Sequence, residues 1–156
     1  MAKTRRLLCL EALRAHLAAV VEGEPEADPY SFAYSAVKLG PLGDTDYRKR
    51  LVAGIVTGRA RHEPLYPLDQ VTLPLAIELR LMVNTGDLEP AIEAETLLGE
   101  VQRRVQENTT LGGLAVDLRE VGSQVTLELY DDKSVIVTLF LDLLYRHHSS
   151  DPRLAV

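Results

Sequence analysis

The sequence predicts an α+β fold with a mixed, mainly antiparallel sheet, flanked by two longer helices and one short helix, and with a long protruding β-hairpin. Three observations lead to this prediction. Apolar and polar residues alternate in several segments, as in half-buried strands, and two other segments repeat apolar residues every three or four positions, as in amphipathic helices. In addition, 156 residues with 46% hydrophobic content fit a single domain spanning residues 1–156.

The stretch 121–146 is predicted to form two strands joined by a tight polar turn at residues 131–133. In the second strand every odd position from Val135 to Tyr145 is apolar, whereas the other face mixes apolar and polar side chains. Such a strand is expected to be central, because an edge position would leave Phe140 and Leu144 in water. A buried helix is the alternative for the same apolar run.

Two amphipathic helices are predicted, one over about residues 4–22 with Thr4 as its N-cap and one over about residues 88–107 with Asp87 as its cap. Between them, Tyr30–Leu39 alternates aromatic with small residues and predicts a strand. The apolar stripes expected to face the core are Leu10, Leu13, Leu17, Val20 and Val21 in the first helix, and Ala91, Ala94, Leu98, Val101 and Val105 in the second.

A long hairpin is predicted in the middle of the chain. Its strands are Leu51–Thr57 and Leu73–Val83, and about residues 45–72 are expected to form the protruding arm. Proline has no backbone N–H to donate to a sheet, so Pro74 is expected at the start of its strand or on an unpaired edge.

Positive charge is concentrated around this hairpin, although the chain has a formal charge of −6. This net charge argues against nucleic-acid or membrane-surface binding driven by overall charge. The basic hairpin is expected to dock against an acidic partner or to face a phosphate backbone, and a solvated hairpin tip is the alternative. The candidate partner contacts are Arg48, Lys49, Arg50, Arg59 and Arg61.

The sequence predicts no catalytic, metal or cofactor site, and the chain is expected not to be an enzyme. Cys9 is the single cysteine and lies in an apolar helical pattern, which favours a packing role. His147 and His148 are adjacent on an extended segment, so their side chains point to opposite sides and do not readily hold one ion together. Nucleophile-elbow, His-Glu-x-x-His and dinucleotide-binding glycine motifs do not occur in the sequence.

Two short motifs stand out in the second half of the chain. Within the run NTTLGGLAVDL, a pair of glycines in a short helical pattern costs stability relative to alanine, so a close approach of two backbones is expected there. The predicted last strand ends in the run LLYRHHSSDP. The motif residues are Leu111, Gly112, Gly113, Tyr145, Arg146, Asp151 and Pro152.

With these motifs and this order of elements, the chain resembles the phage tail terminator family, the tail tube terminators or minor tail proteins of the head–tail joining region. The Leu-Gly-Gly run and the Tyr-Arg ending followed by Asp-Pro carry the resemblance. It implies a structural, non-enzymatic virion protein. Six copies would form a ring that caps the head-proximal end of the tail tube, stops tube polymerisation and joins the tail to the neck.

The resemblance also implies the partners: further copies of the chain, the tail tube protein, a neck, head-completion or connector protein, and a sheath protein in a contractile tail. DNA would be met only as the genome passing through the lumen. No cofactor and no membrane contact are implied. The expected location is the tail–neck junction of the virion, after assembly in the host cytoplasm.

A second hypothesis is a small dimeric α+β domain that binds a ligand or regulates another protein. It would require a concave apolar pocket with a few convergent polar groups. A closed six-fold ring would favour the terminator, and a two-fold dimer with a filled pocket would favour this alternative.

Overall fold

The predicted α+β class is confirmed by the computed structural model, which describes residues 2–43, 50–83, 89–128 and 134–153 but not the side chains of residues 127 and 128. Two helices and six strands are present in these residues. In chain order they are α1 (Arg5–Ala18), β1 (Ala36–Leu39), β2 (Leu51–Thr57), β3 (Arg61–Leu65), β4 (Leu68–Met82), α2 (Pro90–Gln106), β5 (Asp117–Glu128) and β6 (Ser134–His148).

All six strands belong to one mixed sheet with the order β1-β2-β4-β6-β5. β1 is parallel to β2, and every other pairing is antiparallel. β4 and β6 pair along their whole length, from Leu68 opposite His148 to Met82 opposite Ser134. β3 also pairs with β4, in line with β2. β6 is therefore flanked by a strand on each side, as its sequence predicts.

One face of the sheet carries the core. The odd-numbered residues of β4 from Val71 to Leu81 and of β6 from Val135 to Tyr145 are buried together with apolar residues of both helices. The opposite face, called the open face below, carries the even-numbered residues of both strands. Phe140 lies there and is 38% exposed. The expectation that a central strand would keep Phe140 dry is wrong, because both helices pack on the other face.

α1 begins as its sequence predicts but ends earlier. The Thr4 side chain accepts a hydrogen bond from the Leu7 backbone N–H at 3.2 Å and caps the helix. The helix ends at Ala18 rather than near residue 22. Glu22 instead forms a parallel bridge with Tyr30, which holds the connector against the helix end.

The strand predicted over Tyr30–Leu39 is wrong in its first half, because only Ala36–Leu39 is a strand. The backbone N–H groups of Ser31 and Phe32 donate to one carboxylate oxygen of Glu100 in α2, at 2.7 and 3.3 Å. A side chain on a helix thus takes the place of a neighbouring strand as the hydrogen-bond partner.

α2 covers Pro90–Gln106 with a proline in its first turn, as predicted. Its proposed cap, Asp87, lies outside the described residues, as do residues 131–133 of the predicted turn. The helix buries Leu97 rather than the predicted Leu98, and the predicted core residue Ala91 is exposed. Its buried residues are Ala94, Leu97, Val101 and Val105.

The two predicted hairpin strands, β2 and β4, pair as expected. The described part of the predicted protruding arm belongs to the sheet instead of extending from it. β3, the Tyr66–Pro67 turn and residues 68–72 form the distal hairpin, and residues 68–72 also pair with β6. Pro74 lies inside β4 rather than at its start. The Pro74 carbonyl accepts a hydrogen bond from the Gly58 backbone N–H at 2.7 Å. The Pro74 nitrogen therefore faces the gap between β2 and β3, where no strand residue requires a hydrogen bond from it.

The predicted short helix is replaced by consecutive turns over residues 107–114. Leu111, Gly112 and Gly113 have φ values of 50°, 70° and 90°, which end any helical path. A Cβ atom added to either glycine would meet nothing within 4 Å, so the expected close approach of backbones is wrong. Such an approach occurs instead at Gly54, where an added Cβ would lie 2.6 Å from the carbonyl oxygen of Gly40.

Candidate functional site

The basic residues predicted to contact a partner are spread along the sheet. Arg48 and Lys49 lie outside the described residues. Arg50 precedes β2, whereas Arg59 and Arg61 follow it. The seven residues of β2, at about 3.3 Å each, separate Arg50 from the other two by about 20 Å. The three predicted contact residues that the structure describes therefore lie at two ends of β2.

The tip of the distal hairpin is apolar rather than basic. Arg59 and Arg61 are exposed, but the chain reverses further on, at Tyr66–Pro67. Tyr66 is 90% exposed and Leu65 is 47% exposed. The predicted basic tip is wrong, because the chain reverses at Tyr66–Pro67 and not at Arg59 and Arg61. The turn at Tyr66–Pro67 was not predicted, because the period-two pattern of Leu73–Val83 placed the start of the strand too late, whereas β4 begins at Leu68.

Arg50 is held near the sheet by an aromatic ring. Its guanidinium carbon lies 5.8 Å from the centroid of the Phe32 ring, within the range of a cation–π contact. Phe32 is buried, and Arg50 itself is exposed. Arg50 is thus positioned to present positive charge beside β2.

Three apolar side chains lie along β6 on the open face, where they alternate with Thr138 and Asp142. They are Phe140 and the half-buried Ile136 and Leu144, and are called the Phe140 strip below. Gly122 of β5 stands opposite Phe140, and a Cβ atom there would lie 3.7 Å from the ring. The absence of a side chain at Gly122 leaves one side of the Phe140 ring uncovered.

β5 ends the sheet in the described part of the chain, so its outer edge carries unpaired backbone groups. The register shifts between Glu120 and Gly122, and Val121 at this irregularity is 61% exposed. Val116, just before the strand, is 42% exposed. Such irregularities bend an edge and restrict which partners can add to it.

The Leu-Gly-Gly motif connects α2 to β5. Leu111 is 2% exposed and packs in the core. The Gly112 N–H donates to the Asn108 side-chain oxygen at 3.0 Å, and the Gly113 carbonyl accepts from the Arg5 guanidinium at 3.2 Å. These contacts give the motif a structural role in joining two helices to the sheet.

The residues of the second motif separate onto different surfaces. Tyr145 is buried in the core at 4% exposure. Arg146 lies on the open face and donates to the Gln70 side chain at 3.2 and 3.3 Å. The Pro152 carbonyl accepts from the Arg5 backbone N–H at 3.0 Å. The chain after β6 thus returns to the start of α1.

Asp151 is engaged locally. It forms an isolated bridge with His148, and its carboxylate accepts from the Arg153 guanidinium at 2.6 Å. Hydrogen bonds from Arg153 lower the pKa of Asp151 to about 2. Asp151 is therefore held in its charged form by Arg153 within the segment that follows β6.

A groove of about 630 Å³ lies between the end of α1, the following connector and the end of α2. Val21, predicted to face the core, is 51% exposed at this groove. At its side the Tyr30 hydroxyl donates to Glu107 at 2.6 Å, and the Arg103 guanidinium lies 3.8 Å from the centre of the Tyr30 ring. Arg104 pairs with Glu107 at 2.8 Å.

These charged groups hold the helix ends together. Burial acts to raise the pKa of Glu107, but hydrogen bonds from Tyr30, Arg104 and Arg103 outweigh it and keep that pKa below its usual value. Arg104 also donates twice to the His16 carbonyl, at 2.7 and 2.9 Å. The cluster is satisfied within the chain, so its polar groups serve packing of the helices more directly than ligand binding.

Cys9 is fully buried, as its apolar helical pattern predicts. Its thiol contacts the Leu114 carbonyl at 3.5 Å. Burial raises the pKa of Cys9 to about 11, although the nearby Arg5 acts in the opposite direction. A buried thiol with so high a pKa is a poor nucleophile at neutral pH.

Two histidines and an aspartate meet in the distal hairpin. His62, Asp69 and His147 come from β3, β4 and β6, and each offers one ligand atom within 4.8 Å of the others. His147 and His148 have different partners, as predicted, since the His148 ring contacts Ser150. The grouping of His147 with His62 and Asp69 was not predicted, because these residues become neighbours only through the register of three strands.

No protein-family model and no curated protein match this sequence. Within the described ranges, neither helix has the length and apolar character needed to cross a membrane.

Proposed function

We propose that this chain is a phage tail terminator, a structural subunit of a six-membered ring that caps the head-proximal end of a tail tube. The proposal rests on the resemblance carried by the Leu-Gly-Gly and Tyr-Arg to Asp-Pro motifs. The observation that supports it best is the Phe140 strip on β6, next to β5, whose outer edge has no partner strand in the described residues. An exposed aromatic side chain next to a strand with one unpaired edge is a surface suited to a permanent neighbour.

A closed ring requires two different patches that fit each other on successive subunits. β3 and β5 lie on opposite sides of the β4–β6 pair and offer such patches. All five residues of β3 are exposed, and the adjoining tip carries Tyr66. In the proposed ring, the β3 side of one subunit contacts the β5 side of the next.

The remaining surfaces would meet the other components of the tail. Arg50, Arg59 and Arg61 are the described basic residues that would contact an acidic surface of the tube, the neck or a sheath protein. The genome would pass through the lumen without being gripped, and the formal charge of −6 is compatible with this role. The protein would act by shape and charge, without catalysis.

Electron microscopy of particles produced without this chain tests the proposal. Overlong or uncapped tubes that fail to join heads are the expected result, and resupplying the chain should restore tails of fixed length. Tails of normal length attached to full heads would refute it. Resupplying a Tyr66→Ser variant instead of the wild type tests the proposed contact between neighbouring subunits. Tyr66 is 90% exposed, so removing its side chain should leave the fold intact.

The alternative, a dimeric ligand-binding domain, would use the groove at the end of α1. The neighbouring charged groups of Arg103, Arg104 and Glu107 are already paired with one another, which leaves few convergent polar groups for a ligand. Sedimentation of the purified chain with and without tail tubes distinguishes the two. Recruitment to tube ends supports the terminator, and a tube-independent two-fold dimer supports the alternative.

A further inference from the structure

His62, Asp69 and His147 lie on the same face of the sheet. In the register of the strands, His62 is opposite Val71, and Asp69 is opposite His147. Val71 and Asp69 are two residues apart in β4, so their side chains point to the same side. The three polar groups therefore form a cluster at the end of the core face, where Val71 is fully buried.

We propose that these three side chains bind one divalent transition-metal ion of the Zn²⁺ type, which fastens β3 to β4 and β6. The inference does not depend on the proposed role in a phage tail. Two imidazoles and one carboxylate are a donor set that suits Zn²⁺, with water completing a tetrahedron. Ca²⁺ and Mg²⁺ prefer sites built mainly from oxygen ligands, which this cluster does not provide.

The spacing is close to that of a metal site. The three ligand atoms lie within 4.8 Å of one another, and ligands around tetrahedral zinc are about 3.3 Å apart. Small side-chain movements would close the difference. His62 is exposed on an outer strand and has room to turn, whereas His147 is 7% exposed and held in place. The exposed side of the cluster also gives the ion and its water a path of entry.

Neighbouring groups orient two of the ligands. The ring Nδ1 of His147 lies 2.8 Å from the His148 carbonyl oxygen. Donation of Nδ1–H to this carbonyl leaves Nε2 with the lone pair that a metal ion requires, which is the usual arrangement of metal-binding histidines. The Asp69 carboxylate accepts from the Ser149 hydroxyl at 2.9 Å, and the Ser149 N–H in turn donates to the Pro67 carbonyl at 2.9 Å.

A metal ion here would stabilise the part of the sheet with the least packing. All five residues of β3 are exposed, so that strand depends on its pairing with β4. An ion held by one residue from each of three adjacent strands would fix β3 and the Tyr66 tip relative to β6. The proposed ion thus clamps three strands, and its fourth position, held by water, stays open to exchange.

Calorimetric titration of the full chain with ZnCl₂, after treatment with a chelator and without a polyhistidine tag, tests the proposal. We expect one Zn²⁺ per chain and a higher melting temperature with the metal. Co²⁺ should give the visible absorption of a tetrahedral complex. In His62→Gln and Asp69→Asn the affinity should fall at least about tenfold. His62 is exposed, so the first of these variants should keep the wild-type circular dichroism spectrum.

His148→Gln is the matched control. It removes a histidine next to the cluster whose ring contacts Ser150 rather than the proposed ion, so its affinity should equal that of the wild type. The absence of saturable binding by the wild type would overturn the proposal. Equal losses of affinity in His62→Gln and His148→Gln would overturn it as well, because they would indicate unspecific binding to surface histidines.

Discussion

The Nε–H of Arg5 donates to the carbonyl oxygen of Leu114 at 2.9 Å and ties the first turn of α1 to the segment that leads into β5. The same guanidinium reaches the Gly113 carbonyl at 3.2 Å, and the Arg5 backbone N–H donates to Pro152 at 3.0 Å. Two motifs that are far apart in the sequence therefore meet at one residue. Arg5 thus links the segment before β5 and the segment after β6 to the start of α1.

Replacing Arg5 by methionine should lower the free energy of unfolding by about 1–2 kcal/mol, because two carbonyl groups lose a charged donor. Urea unfolding followed by circular dichroism measures the change. Arg14→Met is the control, since Arg14 is exposed on the same helix, and it should shift stability by no more than about 0.5 kcal/mol. Equal effects of the two substitutions would contradict a joining role for Arg5.

Gly113→Ala should destabilise the protein by about 1–2 kcal/mol, because Gly113 has φ of 90° and an L-residue is strained there. Gly99→Ala should stabilise it by about 0.5–1 kcal/mol, since Gly99 lies inside α2 and an added Cβ would meet nothing within 4 Å. Thermal unfolding of both variants measures the contrast. A neutral Gly113→Ala would show that its backbone conformation is not required.

Glu107→Gln should reduce stability at neutral pH by about 1 kcal/mol, a modest value because the Glu107 side chain is 37% exposed. Hydrogen bonds keep the pKa of Glu107 in the folded protein below its ordinary value of 4.5. The stabilisation is therefore fully present above about pH 4.5 and is lost as the pH falls through the lower folded-state value.

Urea midpoints of the wild type and of Glu107→Gln, measured across this pH range, test the linkage. The gap between the two proteins should stay constant from neutral pH to about pH 5 and shrink in stronger acid. Glu95→Gln, at an exposed position on the same helix, serves as the control. A gap that does not change with pH would contradict the proposed contribution of the Glu107 charge.

Changing Arg59 and Arg61 together to glutamate should weaken attachment to an acidic tail partner and leave the melting temperature nearly unchanged, because both side chains are exposed. Binding to purified tubes at low and at high salt measures the effect. The Arg14→Glu variant, which changes the net charge by half as much at an exposed site on α1, controls for a general effect of charge. Unchanged attachment of the double variant would remove these two residues from the proposed interface.

Local patterns predicted much of the architecture. Alternation identified β4 and β6, and the Thr4 cap and the three-to-four spacing identified α1 and most of the buried side of α2. Local patterns failed where a residue distant in the sequence supplies the hydrogen bond. The alternation around Ser31 and Phe32 predicts a strand, but their backbone N–H groups donate to the Glu100 side chain and not to a neighbouring strand.

The candidate sites were less visible than the fold. The basic residues could be identified from the sequence, but their positions and the exposure of Tyr66 at the tip depend on where β4 begins and where β3 pairs. The histidine cluster was not visible, because residues 62, 69 and 147 are brought together by the pairing of three strands. A one-residue change of register would turn one of these side chains to the open face.

The sequence by itself determined the two long helices, the strands β2, β4 and β6 and most of their apolar faces, because these properties follow from the spacing of neighbouring residues. Only the tertiary structure decided that both helices cover one face, that the Phe140 strip remains uncovered, and that Arg5 joins the two motifs. These features depend on contacts between distant residues, and such contacts are set by strand order, register and helix placement.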